Sequence, residues 1–211
     1  MQLRTRVKIC GITSLEIAIQ AVSAGTDALG FMFFPSSRRY IEPALAGEIL
    51  AQLPPYVETV GVFVDASVSE VEAALALAPV SLLQFHGSET PEYCRSFGRR
   101  YVKVLKGGSA ADVLADAEAH ADAEAVMLDS VSNGQFGGTG EVFDWQTIPD
   151  TGRPLILAGG LTPENVAAAI MQVRPYAVDV SGGVEIKRGV KDAALMRNFV
   201  IAVQKADWSI G

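Results

Sequence analysis

Short β-rich runs recur at regular intervals along this chain, and most of the gaps between them hold an alanine-rich, helix-compatible segment. Some runs, such as Leu155-Ile156-Leu157-Ala158, are continuously apolar, which is typical of parallel strands covered on both faces. Parallel pairing requires a crossover, and the helical segments supply it. Eight runs can be marked, at residues 7–10, 28–33, 59–64, 81–85, 101–105, 125–128, 154–158 and 176–180. Eight βα units favour an α/β fold that closes as a single (β/α)8 TIM barrel over a doubly wound sheet, which usually has fewer strands.

Several of the helical segments begin with a recognisable start signal. The stretch Ser67-Val68-Ser69-Glu70 has the spacing of a capping box. Thr90-Pro91-Glu92 and Thr162-Pro163-Glu164 each offer an N-cap oxygen followed by proline at the first helical position. These signals predict helices that start directly after residues 67, 90 and 162.

The composition narrows the functional class. The 211 residues suit one domain spanning 1–211, and an apolar fraction of 49% allows a large core. A net charge of -7 with acids spread along the chain predicts no nucleic-acid partner and no anionic membrane surface. The apolar runs are strand-sized and no signal peptide precedes them, so we expect a cytoplasmic protein. With two cysteines and two histidines, neither a disulfide framework nor a metal site is predicted.

Polar residues and glycines fall at the ends of the predicted strands, where parallel barrels carry their chemistry. Because strand side chains alternate, Lys8 and Cys10 share a face, as do Gln84 and His86, and Met127 and Asp129. The strand-end groups are Cys10, His86-Gly87, Asp129-Ser130, Gly159-Gly160 and Ser181-Gly182-Gly183. We therefore expect them to converge on one rim.

Each candidate has a second interpretation. Lys8 could lower the thiol pKa of Cys10 and make it a usable base, whereas a lone cysteine such as Cys94 is usually a buried small hydrophobe. Asp129 either caps the following loop or transfers a proton at a partly desolvated site. His86 either contacts substrate or bonds a neighbouring loop. His120, within a run of Ala, Asp and Glu, is expected to be a solvated helix residue.

The loops after strands 7 and 8 carry the clearest ligand signal. Glycines at 159, 160, 182 and 183 allow backbone N–H groups and a helix N-terminus to approach an anion, and this pair of loops is the usual phosphate site of such barrels. Tight turns are the alternative explanation. Of the adjacent Arg38 and Arg39, one is expected to bind a carboxylate or phosphate and the other to be solvated. The glycine-rich stretch 133–140 is either a mobile flap or a flexible connection.

With these motifs in this order and spacing, the chain resembles the phosphoribosylanthranilate isomerase family of tryptophan biosynthesis over essentially its whole length. The matching segments begin with Val7-Lys8-Ile9-Cys10-Gly11, Ser37-Arg38-Arg39-Tyr40-Ile41, Gln84-Phe85-His86-Gly87, Leu128-Asp129-Ser130 and Gly137-Gly138-Thr139-Gly140, and continue with Leu157-Ala158-Gly159-Gly160-Leu161 and Val178-Asp179-Val180-Ser181-Gly182-Gly183-Val184-Glu185.

The resemblance implies an Amadori rearrangement without a cofactor, which converts N-(5-phosphoribosyl)anthranilate to 1-(2-carboxyphenylamino)-1-deoxyribulose 5-phosphate. It implies Cys10 as general base and Asp129 as general acid, and an acid at that step must hold its proton, so we expect a raised pKa for Asp129. It places anthranilate recognition on Arg39 and substrate contact on His86 and Asp179. Phosphate recognition falls on Gly159, Gly160, Ser181, Gly182 and Gly183.

Two departures from the family pattern concern phosphate binding. Many relatives read Ser-Ser-Gly where this chain has Ser181-Gly182-Gly183, which removes a possible hydroxyl contact. The segment 185–191 is also more basic than the family version. The alternatives are another phosphosugar isomerase or epimerase and a non-catalytic sugar-phosphate-binding barrel. An epimerase would need more histidines, and a sensor would not be expected to keep both Cys10 and Asp129. The resemblance therefore implies a small phosphosugar-anthranilate substrate as the partner, and we expect a monomer or homodimer.

Overall fold

The computed structural model describes residues 4–105, 109–129, 145 and 148–210. Eight of the described strands belong to one sheet: β1 (Arg6–Cys10), β2 (Ala28–Met32), β3 (Glu58–Phe63), β4 (Leu82–Phe85), β5 (Tyr101–Leu105), β6 (Ala125–Leu128), β7 (Leu155–Leu157) and β8 (Ala177–Val180). They form a closed barrel in sequence order, with every pair parallel and β8 returning to β1. The predicted (β/α)8 barrel is confirmed.

Seven helices are described: α1 (Leu15–Ala24), α2 (Pro43–Leu50), α3 (Val68–Leu77), α4 (Pro91–Arg95), α5 (Ala110–Ala119), α6 (Val166–Val173) and α7 (Ala193–Ile210). After β8 the chain makes a short 3-10 turn, Gly182–Val184, and then a two-stranded antiparallel hairpin of β9 (Glu185–Lys187) and β10 (Val190–Lys191). Among the described residues, no helix combines the length and apolar character needed to cross a membrane.

The predicted strand limits differ from the observed ones by one residue at most. β2 ends at Met32 and β7 at Leu157, although both were expected to run one residue further. The ladder nevertheless continues past these ends, because Phe33 N donates to Val62 O at 2.9 Å and Ala158 N donates to Leu128 O at 2.8 Å. These short extensions carry the chain to the rim of the barrel.

Two of the three predicted helix starts are confirmed. Ser67 and Glu70 form a reciprocal capping box on α3, and the Thr90 hydroxyl accepts from Tyr93 N ahead of Pro91 at the start of α4. The third was placed too early, because α6 begins at Val166. Thr162 instead forms a turn, in which its N–H donates to the side chain of Asn165 at 2.8 Å and its hydroxyl accepts from Glu164 N.

Side-chain alternation divides the barrel into two apolar layers. Residues such as Ile9, Phe31 and Phe85 point outward and pack with the helices, and burial of each large side chain contributes about 1.5–3 kcal/mol. Val102 and Met127 belong to a separate inner cluster. Strands buried on both faces account for the continuously apolar runs in the sequence.

His120 is a correction to the sequence analysis. It was expected to be solvated, yet it is only 4% exposed. Helix α5 ends at Ala119, and the imidazole at the following position turns inward, edge-on to the Tyr101 ring at 6.3 Å. The prediction rested on the run of Ala, Asp and Glu around His120, which does not show that the helix ends just before it.

Candidate active site

Of the residues expected to converge on one rim, all but Ser130, which lies outside the described residues, do so. Cys10 closes β1 and Asp179 lies one residue from the end of β8, while His86 and Asp129 each follow directly after their strands. Arg39 comes from the loop between β2 and α2. The carboxyl ends of the parallel strands thus carry every predicted side chain of the site.

Cys10 shares the mouth with a buried ion pair. Lys8 Nζ donates to Asp179 Oδ1 at 2.9 Å, and both side chains are at most one-tenth exposed. The register between the paired strands β1 and β8 brings Lys8 opposite Asp179. The lysine charge is thereby already compensated when the thiol is neutral.

The pKa of the Cys10 thiol corrects a prediction. Lys8 was expected to lower it, but burial raises the thiol pKa above its ordinary value, and the attraction of Lys8 only partly offsets this because Asp179 acts in the opposite direction. Desolvation of the thiolate outweighs one compensated cation. Cys10 therefore holds its proton firmly, and its thiolate is a strong base once formed.

Gly30 makes room for the thiol. A Cβ at this position on β2 would lie 2.7 Å from Cys10 Sγ and 3.1 Å from Lys8 Cε. These contacts confirm that Lys8 and Cys10 share the inner face of β1. The sequence analysis gave Gly30 no role, because its packing role depends on the neighbouring strand.

The surroundings of Asp129 favour the protonated form of its carboxyl group more than water does. Burial, and next the negative charge of Asp179, raise its pKa to about 6, while Lys8 and Arg39 oppose the shift. This agrees with the predicted raised pKa. Desolvation wins because neither cation pairs directly with this carboxylate.

His86 lies beside Asp129, with 3.7 Å between Nε2 and Oδ2, which is too long for a good hydrogen bond. Burial lowers the pKa of His86 to about 4, so the imidazole is neutral at physiological pH. A neutral ring does not hold Asp129 in its anionic form. His86 therefore lines the mouth of the barrel with a polar but uncharged side chain.

Arg39 is held between two glycines and a carboxylate. A Cβ at Gly11 would lie 2.7 Å from Arg39 Cδ, and one at Gly182 would lie 3.5 Å from Nη2. The guanidinium donates from Nε to Glu185 Oε1 at 2.7 Å and from Nη2 to Oε2 at 2.9 Å. Arg38 is exposed. This agrees with the expectation that one of the two arginines is solvated.

The two glycine-rich loops meet at the backbone. A Cβ at Gly183 would lie 1.8 Å from Leu161 O, so the loop after β8 can approach the loop after β7 only with glycine there. Gly159 and Gly160 adopt φ values of 82° and 61°, in the left-handed region that favours glycine. Asn165 Nδ2 ties this turn by donating to Gly160 O at 2.9 Å. Tight turns and close approach both contribute to the glycine pattern.

Sequence reasoning gave no role to Glu185 and Lys191, which pair at 2.7 Å beside Arg39. The segment 185–191 had been noted only as basic. Its exposed charges are Lys187 and Arg188, whereas the charge of Lys191 is buried and paired within the protein. A Glu and a Lys at either end of a short hairpin with Gly189 between them was the available signal.

The glycine-rich stretch at 133–140, considered as a flap, lies outside the described residues. Within the described part of the chain, no cluster of three or more His, Cys, Asp or Glu side chains has the arrangement of a metal site.

A family model described as N-(5'-phosphoribosyl)anthranilate isomerase matches residues 7–202. The chain belongs to this isomerase family. A relative named N-(5'-phosphoribosyl)anthranilate isomerase from Hahella chejuensis is 51% identical over 198 residues, which cover 93% of each chain. The sequence resemblance and the function it implied are confirmed, and the chain is an isomerase of tryptophan biosynthesis.

Solved structures of the family agree with the fold. The isomerase from Thermotoga maritima is 38% identical with a TM-score of 0.87, covering 95% of this chain and 99% of that one. A second structure is of monomers generated from that Thermotoga maritima isomerase, whose parent form is dimeric. A further family structure, in complex with reduced 1-(o-carboxyphenylamino)-1-deoxyribulose 5-phosphate, is 36% identical with a TM-score of 0.81 and has the same coverage.

Proposed function

We propose that this isomerase catalyses its Amadori rearrangement with Asp129 as general acid and Cys10 as general base. The protonated Asp129 gives its proton to the furanose ring oxygen as the C1′–O bond breaks, which leaves a Schiff base. The Cys10 thiolate then removes the proton from C2′, and the electron pair moves to give an enolamine. Tautomerisation of the enolamine yields the aminoketose, so the reaction needs no redox partner.

The observation that carries this assignment is the raised pKa of Asp129, about 6, at the same mouth as a buried thiol. Proton donation at neutral pH requires a carboxyl group that keeps its proton far above the ordinary range. The high thiol pKa limits the thiolate population, but it also makes that thiolate a strong base for a carbon acid. Lys8 stabilises the thiolate when it forms, since its charge opposes the effect of burial.

We assign substrate binding to the surrounding rim. Arg39 would receive the anthranilate carboxylate through its planar donor edge, and the loops with Gly159, Gly160, Ser181, Gly182 and Gly183 would receive the phosphate. His86 and Asp179 would line the space between these two anions. The excess of acidic residues elsewhere makes a local cationic site necessary for a doubly anionic substrate.

We also propose that the chain works in the cytoplasm as a single domain and as a monomer or homodimer, without nucleic-acid partners. The biosynthetic role of the family favours this location, and the net charge of -7 disfavours nucleic acid. Sedimentation at several protein concentrations would decide between the two assembly states.

Turnover of freshly generated phosphoribosylanthranilate tests the assignment, followed by the loss of anthranilate-type fluorescence. We expect the wild type to be active. Cys10→Ser and Asp129→Asn should each lower the turnover rate by about 10²–10⁴-fold. Cys94→Ser is the matched control, because this thiol is buried in α4 in the outer core and should leave the rate of folded protein unchanged. An inactive wild type that still binds the reduced product analogue would contradict the catalytic assignment and favour a sugar-phosphate sensor.

A further inference from the structure

Arg39, Glu185 and Lys191 form a compact cluster at the rim between β2 and the β9–β10 hairpin, which we call the Arg39 cluster. Both oxygens of Glu185 are engaged: Oε1 accepts from Arg39 Nε and from Lys191 Nζ, and Oε2 accepts from Arg39 Nη2 and from Gly189 N. The Glu185 and Lys191 side chains are 3% and 1% exposed, against 18% for Arg39. Only the arginine end of the cluster therefore reaches the mouth.

The charges in the Arg39 cluster do not cancel, because two cations share one carboxylate. Burial alone would raise the pKa of Glu185, yet the hydrogen bonds from Arg39 and Lys191 hold it at about 2, so the carboxylate is charged. Besides Glu185, the Lys191 ammonium donates to Ser181 O at 3.0 Å and to Ser181 Oγ at 3.1 Å. The surplus positive charge lies on the outer edge of the guanidinium.

Arg39 keeps donors available for a ligand. A guanidinium has five N–H donors in a rigid fork, and Glu185 takes one from Nε and one from Nη2. Within the described residues, no acceptor is bonded to Nη1, whose two donors form part of the fork's remaining edge. Because both Glu185 oxygens accept from one edge of the Arg39 guanidinium, the direction of the opposite edge is fixed.

Lys191 extends this support to the rest of the site. It holds Ser181 on the loop after β8, and Ser181 Oγ donates to Cys10 O at 3.0 Å. One buried carboxylate thus connects the carboxylate-binding arginine, the phosphate loop and the strand that carries the base. The substrate carries two anionic groups at a fixed separation, so a rigid site holds both in place. Misplacement of a reacting group by about 1 Å can lower the reaction rate 10²-fold.

We propose that Glu185 is a positioning residue that orients Arg39 toward the carboxylate of the substrate and, through Lys191, sets its distance from the phosphate loop. This inference rests on the proposed role of Arg39. Glu185 does not touch the reacting atoms and acts through the guanidinium. It makes the site selective for ligands that carry both a carboxylate and a phosphate.

The test measures dissociation constants by calorimetry for two ligands, the reduced carboxyphenylamino-deoxyribulose phosphate and the same compound with an unsubstituted phenyl ring. In Glu185→Gln we expect the carboxylate-bearing ligand to bind about 10- to 100-fold more weakly and the phenyl ligand to change by less than about threefold. If Glu185 only balanced charge, its neutralisation would make the site more positive and tighten carboxylate binding. Tighter or unchanged binding of that ligand overturns the proposal.

Two further variants separate the possible failures. Arg39→Met should abolish the preference for the carboxylate-bearing ligand, and Glu185→Gln added to it should change the preference no further. If Arg39→Met keeps the preference, the proposed role of Arg39 fails. If it loses the preference while Glu185→Gln keeps it, only the positioning role fails.

Folding is controlled in the same experiment. Asp27→Asn weakens another two-point arginine–carboxylate pair, a more exposed one, in which both Asp27 oxygens accept from Arg4 at the opposite end of the barrel, and it should alter neither affinity. Should Glu185→Gln fail to fold because Lys191 is left buried and unpaired, Glu185→Gln with Lys191→Met removes that charge. The double variant should show the same selective loss of carboxylate affinity, and retained affinity would overturn the proposal.

Discussion

Among the described residues, two buried clusters of charged side chains lie at the rim besides the Lys8–Asp179 pair, and they differ in how much charge and how many hydrogen-bond donors remain available to a ligand. In the Arg39 cluster, two cations share the Glu185 carboxylate, and the arginine keeps donors facing the mouth. In the second, the Lys103 cluster, the ammonium of Lys103 on β5 donates to Glu89 at 3.0 Å, to Gly87 O at 2.7 Å and to Phe85 O at 3.2 Å. Its three donors and its charge are all satisfied within the protein.

The difference shows that a buried ion-pair cluster can either hold loops together or present charge to a ligand. Lys103 lies on the outer face of its strand, and Glu89 accepts from the backbone N–H groups of Asp65 and Gly87, so the Lys103 cluster ties the loops after β3 and β4 together. A cluster with no surplus charge and no free donor is a scaffold. The Arg39 cluster, with a surplus charge, presents that charge to a ligand.

The largest expected effect comes from breaking the scaffold. Lys103→Met leaves Glu89 buried without its cation, and removal of one partner from a buried pair costs about 3–5 kcal/mol. Denaturant unfolding measures the loss. Arg39→Met is the comparison, since Glu185 keeps Lys191 as partner and the stability loss should be smaller, although substrate binding fails. Equal stability losses in the two variants would contradict the division into scaffold and binding cluster.

Gly183→Ala tests the loop that adjoins the Arg39 cluster. The added methyl would lie 1.8 Å from Leu161 O, a backbone atom that cannot rotate away, so the loops after β7 and β8 must separate. We expect a loss of about 1–3 kcal/mol in unfolding free energy, together with weaker binding of ribose 5-phosphate. Wild-type phosphate affinity in this variant would show that the contact between the loops is not needed for the site.

Gly182→Ser should have the smallest effect on stability. A Cβ there meets only Arg39 Nη2, at 3.5 Å, so we expect a change within about 0.5 kcal/mol. The hydroxyl restores the Ser-Ser-Gly pattern and adds one donor near the proposed phosphate site, worth about 0.5–1.5 kcal/mol in ribose 5-phosphate affinity. A loss of phosphate affinity would mean that this glycine is required for close approach, as Gly183 is.

Sequence reasoning located the barrel and its rim because both depend on local signals. Apolar runs and capping residues such as Ser67 report burial and helix starts, and strand ends then fix which residues share a rim. Cys10 and Asp129 could be placed at the mouth from this alone. The start of α6 was placed too early because the Thr162 turn, held by Asn165, resembles a helix cap in sequence.

The electrostatics could not be predicted in the same way. The pKa of Cys10 depends on how far Asp179 cancels Lys8 and on the depth of burial, and both come from pairing between the first and last strands. The partnership of Arg39 with Glu185 likewise joins residues from opposite ends of the chain. Sequence spacing contains no information about such contacts until the barrel has closed.

The central claim is that a protonated Asp129 and a Cys10 thiolate act together, and the pH dependence of kcat/KM tests it most directly. Below pH 6 Asp129 is protonated and the thiolate population grows about tenfold per pH unit, so the rate rises. Above the Asp129 pKa of about 6, loss of the acid offsets gain of the base, and the rate levels off. In Asp129→Asn the rate should be far lower but should keep rising past pH 6, because Cys10 is then the only member of the acid–base pair that titrates. The substrate phosphate titrates in the same range but affects both enzymes alike. A plateau near pH 6 that persists in Asp129→Asn would contradict the account.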